Sequence, residues 1–141
     1  ETALLEAGIP LAHIEANRSV PMYRTDIDTV PVGPFKGGMV VSLRYVSPDL
    51  VDQASEVTAQ FPWAHGAPIH IGDPSEIGIR DVAHPDWGDP PVSTEGVPMF
   101  WACGVTPQNA LAEARPPLCI THTPGRMLIT DIDDRADSFL K

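Results

Sequence analysis

The sequence predicts an α/β fold, with α+β as its near variant: repeated strand–helix–strand units on a mixed β-sheet. Three observations predict it. Short apolar or alternating runs are interleaved with stretches of helical spacing. Twice, a strand-like run leads into a Ser/Thr-Pro pair, in "YVSPD" and "GVTPQ", and this pairing of cap and proline starts helices. Separated stretches also match one another. "MYRTDID" (22–28) and "MLITDID" (127–133) agree at five of seven positions, and "EAGIPLA" (6–12) parallels "EARPPLC" (113–119). A looser pair is "HGAPIHIGD" (65–73) and "HTPGRMLITD" (122–131). Internal similarity of this kind points to a pseudo-symmetric duplication.

The elements follow in chain order. Thr2 to Ala7 is a short helix with Gly8 as its C′ residue. "MVVSLRYV" (39–46) alternates Val41, Leu43 and Tyr45 against Ser42 and Arg44, as a half-buried strand does. Ser47-Pro48 caps the next helix, whose apolar face is Leu50, Ala54, Val57 and Phe61. "VPMFWACG" (97–104) is a buried strand, and Thr106-Pro107 caps a helix with Ala110, Leu111 and Ala114 inward. "LCIT" (118–121) and "MLIT" (127–130) are expected as short buried strands. The whole reads as one domain, 1–141: unit one 1–28, unit two 38–73, a polar excursion 74–96, unit three 97–133 and a tail 134–141. Unit one has no opening strand, so the sequence is expected to be a fragment, or a domain cut from a longer chain.

The chain has 141 residues, enough to bury a core. A formal charge of −10 argues against a nucleic-acid surface and against anionic membranes, so neither partner is expected. No apolar run approaches a membrane span. Two cysteines make no disulfide framework and suit a reducing, cytoplasmic setting. The sixteen prolines are spread along the chain as turns and helix starts.

Several residues are candidates for chemistry. The turn Cys103-Gly104-Val105-Thr106 feeds a strand into a helix, where backbone N–H groups can bind an anion; Gly104, Thr106 and Gln108 are the binding candidates, set against a plain capped turn. Cys103 is either a nucleophile beside a helix start or a packed wall residue. His65 and His122 occupy equivalent places before Gly/Pro turns and suit acid–base work; the bland reading is a ring bonded to its own turn. His70 and Asp73 form a second polar cluster, with Asp73 equally suited to cap the turn at Pro74. Arg24, beside Tyr23, and Arg126 can clamp a carboxylate or make ordinary ion pairs. Asp131 matches Asp26 by repeat position and is a further acid–base candidate or turn cap. The histidines, Asp73 and Cys103 match no metal-ligand spacing, so no metal site is expected.

With these motifs assembled, the chain resembles the hydro-lyase family that includes D-glutamate cyclase. The stretches that carry the resemblance are "VPMYRT", "AHGAPIHIGDP", "IGIRDVAHPDWGD", "VPMFWACGVTPQ" and "ITHTPGRMLITD". Family members are roughly twice this length, so the resemblance implies that only their C-terminal part is present; a segment akin to "GCSFSFE" would supply the strand missing from unit one. It also implies dehydration chemistry, as when D-glutamate gives 5-oxo-D-proline and water. The family has "GHM" where this chain has Gly125-Arg126-Met127, so Arg126 stands in place of a histidine. The expected function is a cofactor-independent lyase or cyclase acting on a small carboxylic acid. The alternative is a non-catalytic accessory domain of a multidomain synthase, binding a carboxylate or a carrier-tethered intermediate. An unpaired sheet edge makes a homo-oligomer, or neighbouring domains of a longer chain, the expected protein partners.

Overall fold

A computed structural model describes residues 1–126 and 129. Its centre is a four-stranded sheet in the order β1-β2-β4-β3: β1 (Met22–Asp28), β2 (Gly38–Val46), β3 (His70–Ile71) and β4 (Val97–Ala102). Helices α1 (Thr2–Glu6), α2 (Ala12–Glu15), α3 (Val51–Ala59) and α4 (Thr106–Ala114) accompany it. Among the described residues every strand pairing is antiparallel, which corrects the expected mixed sheet. α/β is thus right in content, while the repeated strand–helix–strand duplication is not confirmed. Unit two does run strand, helix, two-residue strand. In unit three nothing of the expected strand at 118–121 forms: Leu118 and Ile120 are exposed and unpaired in any ladder. "MLIT" falls almost wholly outside the described residues, as does Asp131.

Both faces of the sheet are covered, so β2 is buried on both sides rather than half-buried. Antiparallel register puts alternate side chains on opposite faces. Val46, Met99 and Trp101 meet Leu4, Ile9, Leu11 and Ala54 on one face. Tyr23, Val41, Leu43 and Phe100 meet Ile77 and Ile79 on the other. The intervening Ser42 is buried too, and its hydroxyl accepts from Arg44 Nη1 at 2.9 Å. Along its length the turn-rich stretch after β3 is more than a polar excursion. Asp73 caps a 3-10 turn (Pro74–Ile77), Ile77 and Ile79 cross under the sheet, and Trp87 pairs with Met22 at the far edge. It is a strap from the β3 edge to the β1 edge.

The helix starts are built differently from the expectation. Ser47 makes no capping bond; its hydroxyl turns to the Asp49 carboxylate, and a 3-10 turn (Pro48–Leu50) precedes α3. Thr106 also makes no cap. Its hydroxyl accepts the Val40 N–H at 3.0 Å and donates to the Val40 carbonyl at 3.2 Å, riveting α4 to β2. Gly8 does act as read: φ is +78°, and Ile9 N–H returns to the Leu4 carbonyl at 2.9 Å. Gly38 is required for another reason, since a Cβ there would lie 2.1 Å from the Thr25 carbonyl oxygen across the irregular β1–β2 pairing. Among the described residues no helix is long and apolar enough to cross a membrane.

Candidate active site

The end of β4 and the start of α4 gather most of the candidate residues. Cys103 follows β4, and its side chain packs against the cluster of Met22, Val40 and Val105. Burial pushes its thiol pKa up from the ordinary value, only partly offset by the Val105 N–H. Apolar neighbours and a raised pKa favour the second of its two readings, a packed wall residue. The helix start is a poorer anion site than expected. The N–H groups of Thr106, Gln108 and Asn109 already bond the Cys103 and Val105 carbonyls, and Pro107 has none.

Gly104 is different. Of the eleven glycines, ten either have a positive φ or, at Gly38, would clash. Gly104 alone has neither need: its φ is ordinary and a Cβ would meet nothing within 4 Å. It is exposed, with open space in front of the backbone. The fold does not require a glycine there, whereas a ligand approaching the main chain would.

Both matched histidines are tied to this junction. The His65 Nδ1–H donates to the Ala102 carbonyl at 2.6 Å, one residue before Cys103. Because a carbonyl only accepts, Nε2 is left as the basic nitrogen of the neutral ring. His122 Nδ1–H donates to the Thr123 carbonyl at 3.0 Å, leaving its Nε2 in the same state. Its own carbonyl accepts from Gln108 Nε2 at 2.8 Å, so Gln108 holds the His122 turn to α4. Both side chains lie on exposed segments. His65 also borders an open pocket of about 230 Å³ formed with α1 and Phe61.

Arg24 stands on β1 near the same junction. Its Nε donates to Asn109 Oδ1 of α4 at 2.9 Å and its Nη1 to Asp86 Oδ1 at 2.7 Å. Its guanidinium lies 4.6 Å from the centre of the Trp87 ring. Half of its side chain stays open to solvent. The Thr123–Arg126 turn comes close by: Arg126 N–H bonds Thr123, and Gly125 sits against Ser19 and Met22. Arg126 itself is exposed.

Three candidates are placed elsewhere. Tyr23 alternates to the opposite face from Arg24; its hydroxyl is buried and donates to the Val82 carbonyl at 2.7 Å, and burial raises its pKa. It is a core residue rather than a substrate contact. His70 stacks by Phe100 and donates through Nε2 to the Asp73 carbonyl at 2.9 Å, closing its own turn. Asp73 accepts the Ser75 N–H at 2.9 Å, which lowers its carboxyl pKa, so it is the turn cap of its plainer reading. Among the described residues no three His, Cys, Asp or Glu side chains gather as a metal-binding group.

Asp86, Trp87 and Asn109 escape a reading of the sequence. Asp86 and Trp87 sit in a stretch that reads as polar loop, and Asn109 is the buried residue of α4 where Ala110 and Leu111 look more apolar. Five separated stretches thus converge here: 20–25, 64–66, 86–89, 97–109 and 122–126.

These are the stretches on which a family likeness rests, and comparison with known proteins decides it. The model of the D-glutamate cyclase family matches residues 1–131. The chain belongs to the D-glutamate cyclase family. Its relatives include proteins named "Putative hydro-lyase" in Dinoroseobacter shibae, 59% identical over 97% of this chain, and in Jannaschia sp., 56% identical over 98%. Another, from Methylobacterium radiotolerans, is 57% identical over 99%. The chain spans about half the length of these relatives: 46%, 52% and 52%. The family match takes in nearly the whole chain and does not bear out the expectation that only a C-terminal part of the family is present.

Proposed function

We propose that this chain carries the acid–base site of a cofactor-independent lyase or cyclase that dehydrates a small amino or hydroxy acid, in the manner of D-glutamate cyclase. The observation that carries the reading is Gly104: open backbone, with no conformational or packing need for glycine, on a junction to which His65 is bonded at Ala102 and the His122 turn at Gln108. Family membership supports the same class of chemistry.

Dehydration asks for positioning and two proton movements. Arg24 holds a carboxylate of the substrate through its free guanidinium N–H groups. One imidazole Nε2 takes the proton from the attacking amine or the carbon; the other, protonated, delivers its proton to the departing oxygen, which leaves as water. Cys103 walls the site and takes no part in bond making. Arg126, where the family is expected to have histidine, adds an exposed cation on the His122 turn, suited to a second anionic group of the substrate.

An NMR screen of amino and hydroxy acids, D-glutamate included, tests the proposal. Turnover should fall about 10²–10⁴-fold in His122→Ala and in His65→Ala, the usual worth of a general acid or base. Cys103→Ala should stay within about threefold of the wild type, as a wall residue whose loss moves no reacting group should. Binding without turnover of any acid would contradict the lyase and favour the accessory-domain alternative.

A further inference from the structure

Arg24 is held on three sides by residues that a free surface arginine would not have. Asp86 takes Nη1 at 2.7 Å and, with its other oxygen, the Arg24 backbone N–H at 2.8 Å. Asn109 takes Nε at 2.9 Å, and its amide donates in turn to the Gly38 carbonyl at 2.9 Å. Asn109 is buried, so its own orientation is set by these two bonds. The Trp87 ring covers one face of the guanidinium, and Trp87 is itself fixed by two backbone bonds to Met22, at 2.9 and 3.2 Å. A guanidinium has five N–H groups. Nε and one of Nη1 are used; among the described residues the second Nη1 hydrogen and both on Nη2 meet no acceptor. An Nη1–Nη2 pair is a fork that matches a carboxylate with two parallel hydrogen bonds.

We propose that Asp86, Trp87 and Asn109 are positioning residues that aim the free Nη1–Nη2 edge of Arg24 at a substrate carboxylate. This rests on the lyase reading only in taking the substrate to be a carboxylic acid. Asp86 makes the idea testable by sign. As a charge alone, it opposes an anion beside Arg24, and removing it would tighten binding. As a positioning group, its removal lets the guanidinium swing and weakens binding.

The probe is succinate, titrated against the protein while the Arg24 Nε resonance, assigned by its loss in Arg24→Lys, is followed by NMR; succinamide is the uncharged control. The wild type should bind succinate and not succinamide. Asp86→Ala and Asn109→Leu should each weaken succinate binding by about tenfold, the scale of one hydrogen bond to a charged group. Trp87→Phe, which keeps an aromatic face, should stay within about threefold, and Trp87→Ala should not. Arg24→Lys, with the charge but no fork, should weaken binding as much as Asp86→Ala. Tighter or unchanged binding in Asp86→Ala, or equal binding of succinate and succinamide by the wild type, overturns the proposal. Should Asp86→Ala fail to fold, Arg24→Lys and the Trp87 pair carry the same decision. Loss of turnover in the histidine variants is independent of these titrations, so the cage and the lyase can fail separately.

Discussion

Cys103 and Cys119 carry the same thiol in opposite surroundings. Cys119 is exposed, whereas Cys103 is packed against the Met22, Val40 and Val105 cluster with its pKa raised by burial. A thiol reagent at neutral pH should therefore label Cys119 rapidly and Cys103 slowly, with Cys103 reacting only as pH rises or the chain unfolds. Peptide mapping after partial labelling reads this; faster labelling at Cys103 would return it to the role of nucleophile. The sequence leaves both readings of Cys103 open, because a strand end beside a helix start is compatible with either. Burial favours the wall, and it is supplied in part by Met22 and Val40, far away in sequence. The histidines follow the same logic. Their symmetry is visible in the sequence, but the Nδ1 bonds that leave Nε2 basic are made to carbonyls, which leave no mark on residue identity.

Among the elements, β2, β4, α3 and α4 were legible, since runs of alternating or apolar residues end at Ser/Thr-Pro. Their ends and contacts were not. Thr106 looks like a cap because it precedes a proline, yet it rivets α4 to Val40, and only the neighbouring strand explains that choice. α2 was missed because four residues are too few to show a period. The β4–α3 contact gives a prediction at this scale. Trp101 is 2% exposed, and its indole N–H donates to Thr58 Oγ1 at 3.1 Å. Trp101→Ala should cost about 3–5 kcal/mol in urea unfolding, as large core truncations do, and Thr58→Val about 1–3 kcal/mol from the orphaned indole donor. Gly38→Ala should also destabilise, since its methyl meets the Thr25 carbonyl.

At the scale of the molecule, recurring local signals suggested a duplication that the sheet does not follow. The order β1-β2-β4-β3 joins strands far apart in sequence, and a strap crosses beneath them to pair Trp87 with Met22. Such long-range pairing has no local signature. Charge contributes to how the layers hold. Burial raises the pKa of Glu1, but the bond from His13 and the Arg44 guanidinium outweigh it and leave the carboxyl far below its ordinary 4.5. A depressed carboxylate stabilises the fold fully above its unfolded value, and the contribution is lost as pH falls through the acid range. The urea midpoint of the wild type should therefore drop below about pH 4.5. Glu1→Gln should start lower at neutral pH and drop less, with the difference between the two closing toward acid. A parallel decline would show that Glu1 does not link α1 to β2 in this way.

The site's location is the claim on which the rest depends, and Gly104→Ala tests it most directly. The fold leaves room for that methyl and does not need the glycine's backbone freedom. Thermal unfolding and turnover should be measured on the same preparation. The expected result is a stability change within about 0.5 kcal/mol, as for an uninvolved surface position, together with a loss of turnover of at least about tenfold, roughly 1.4 kcal/mol of transition-state binding. Full activity in a protein of unchanged stability would place the chemistry somewhere other than the β4–α4 junction.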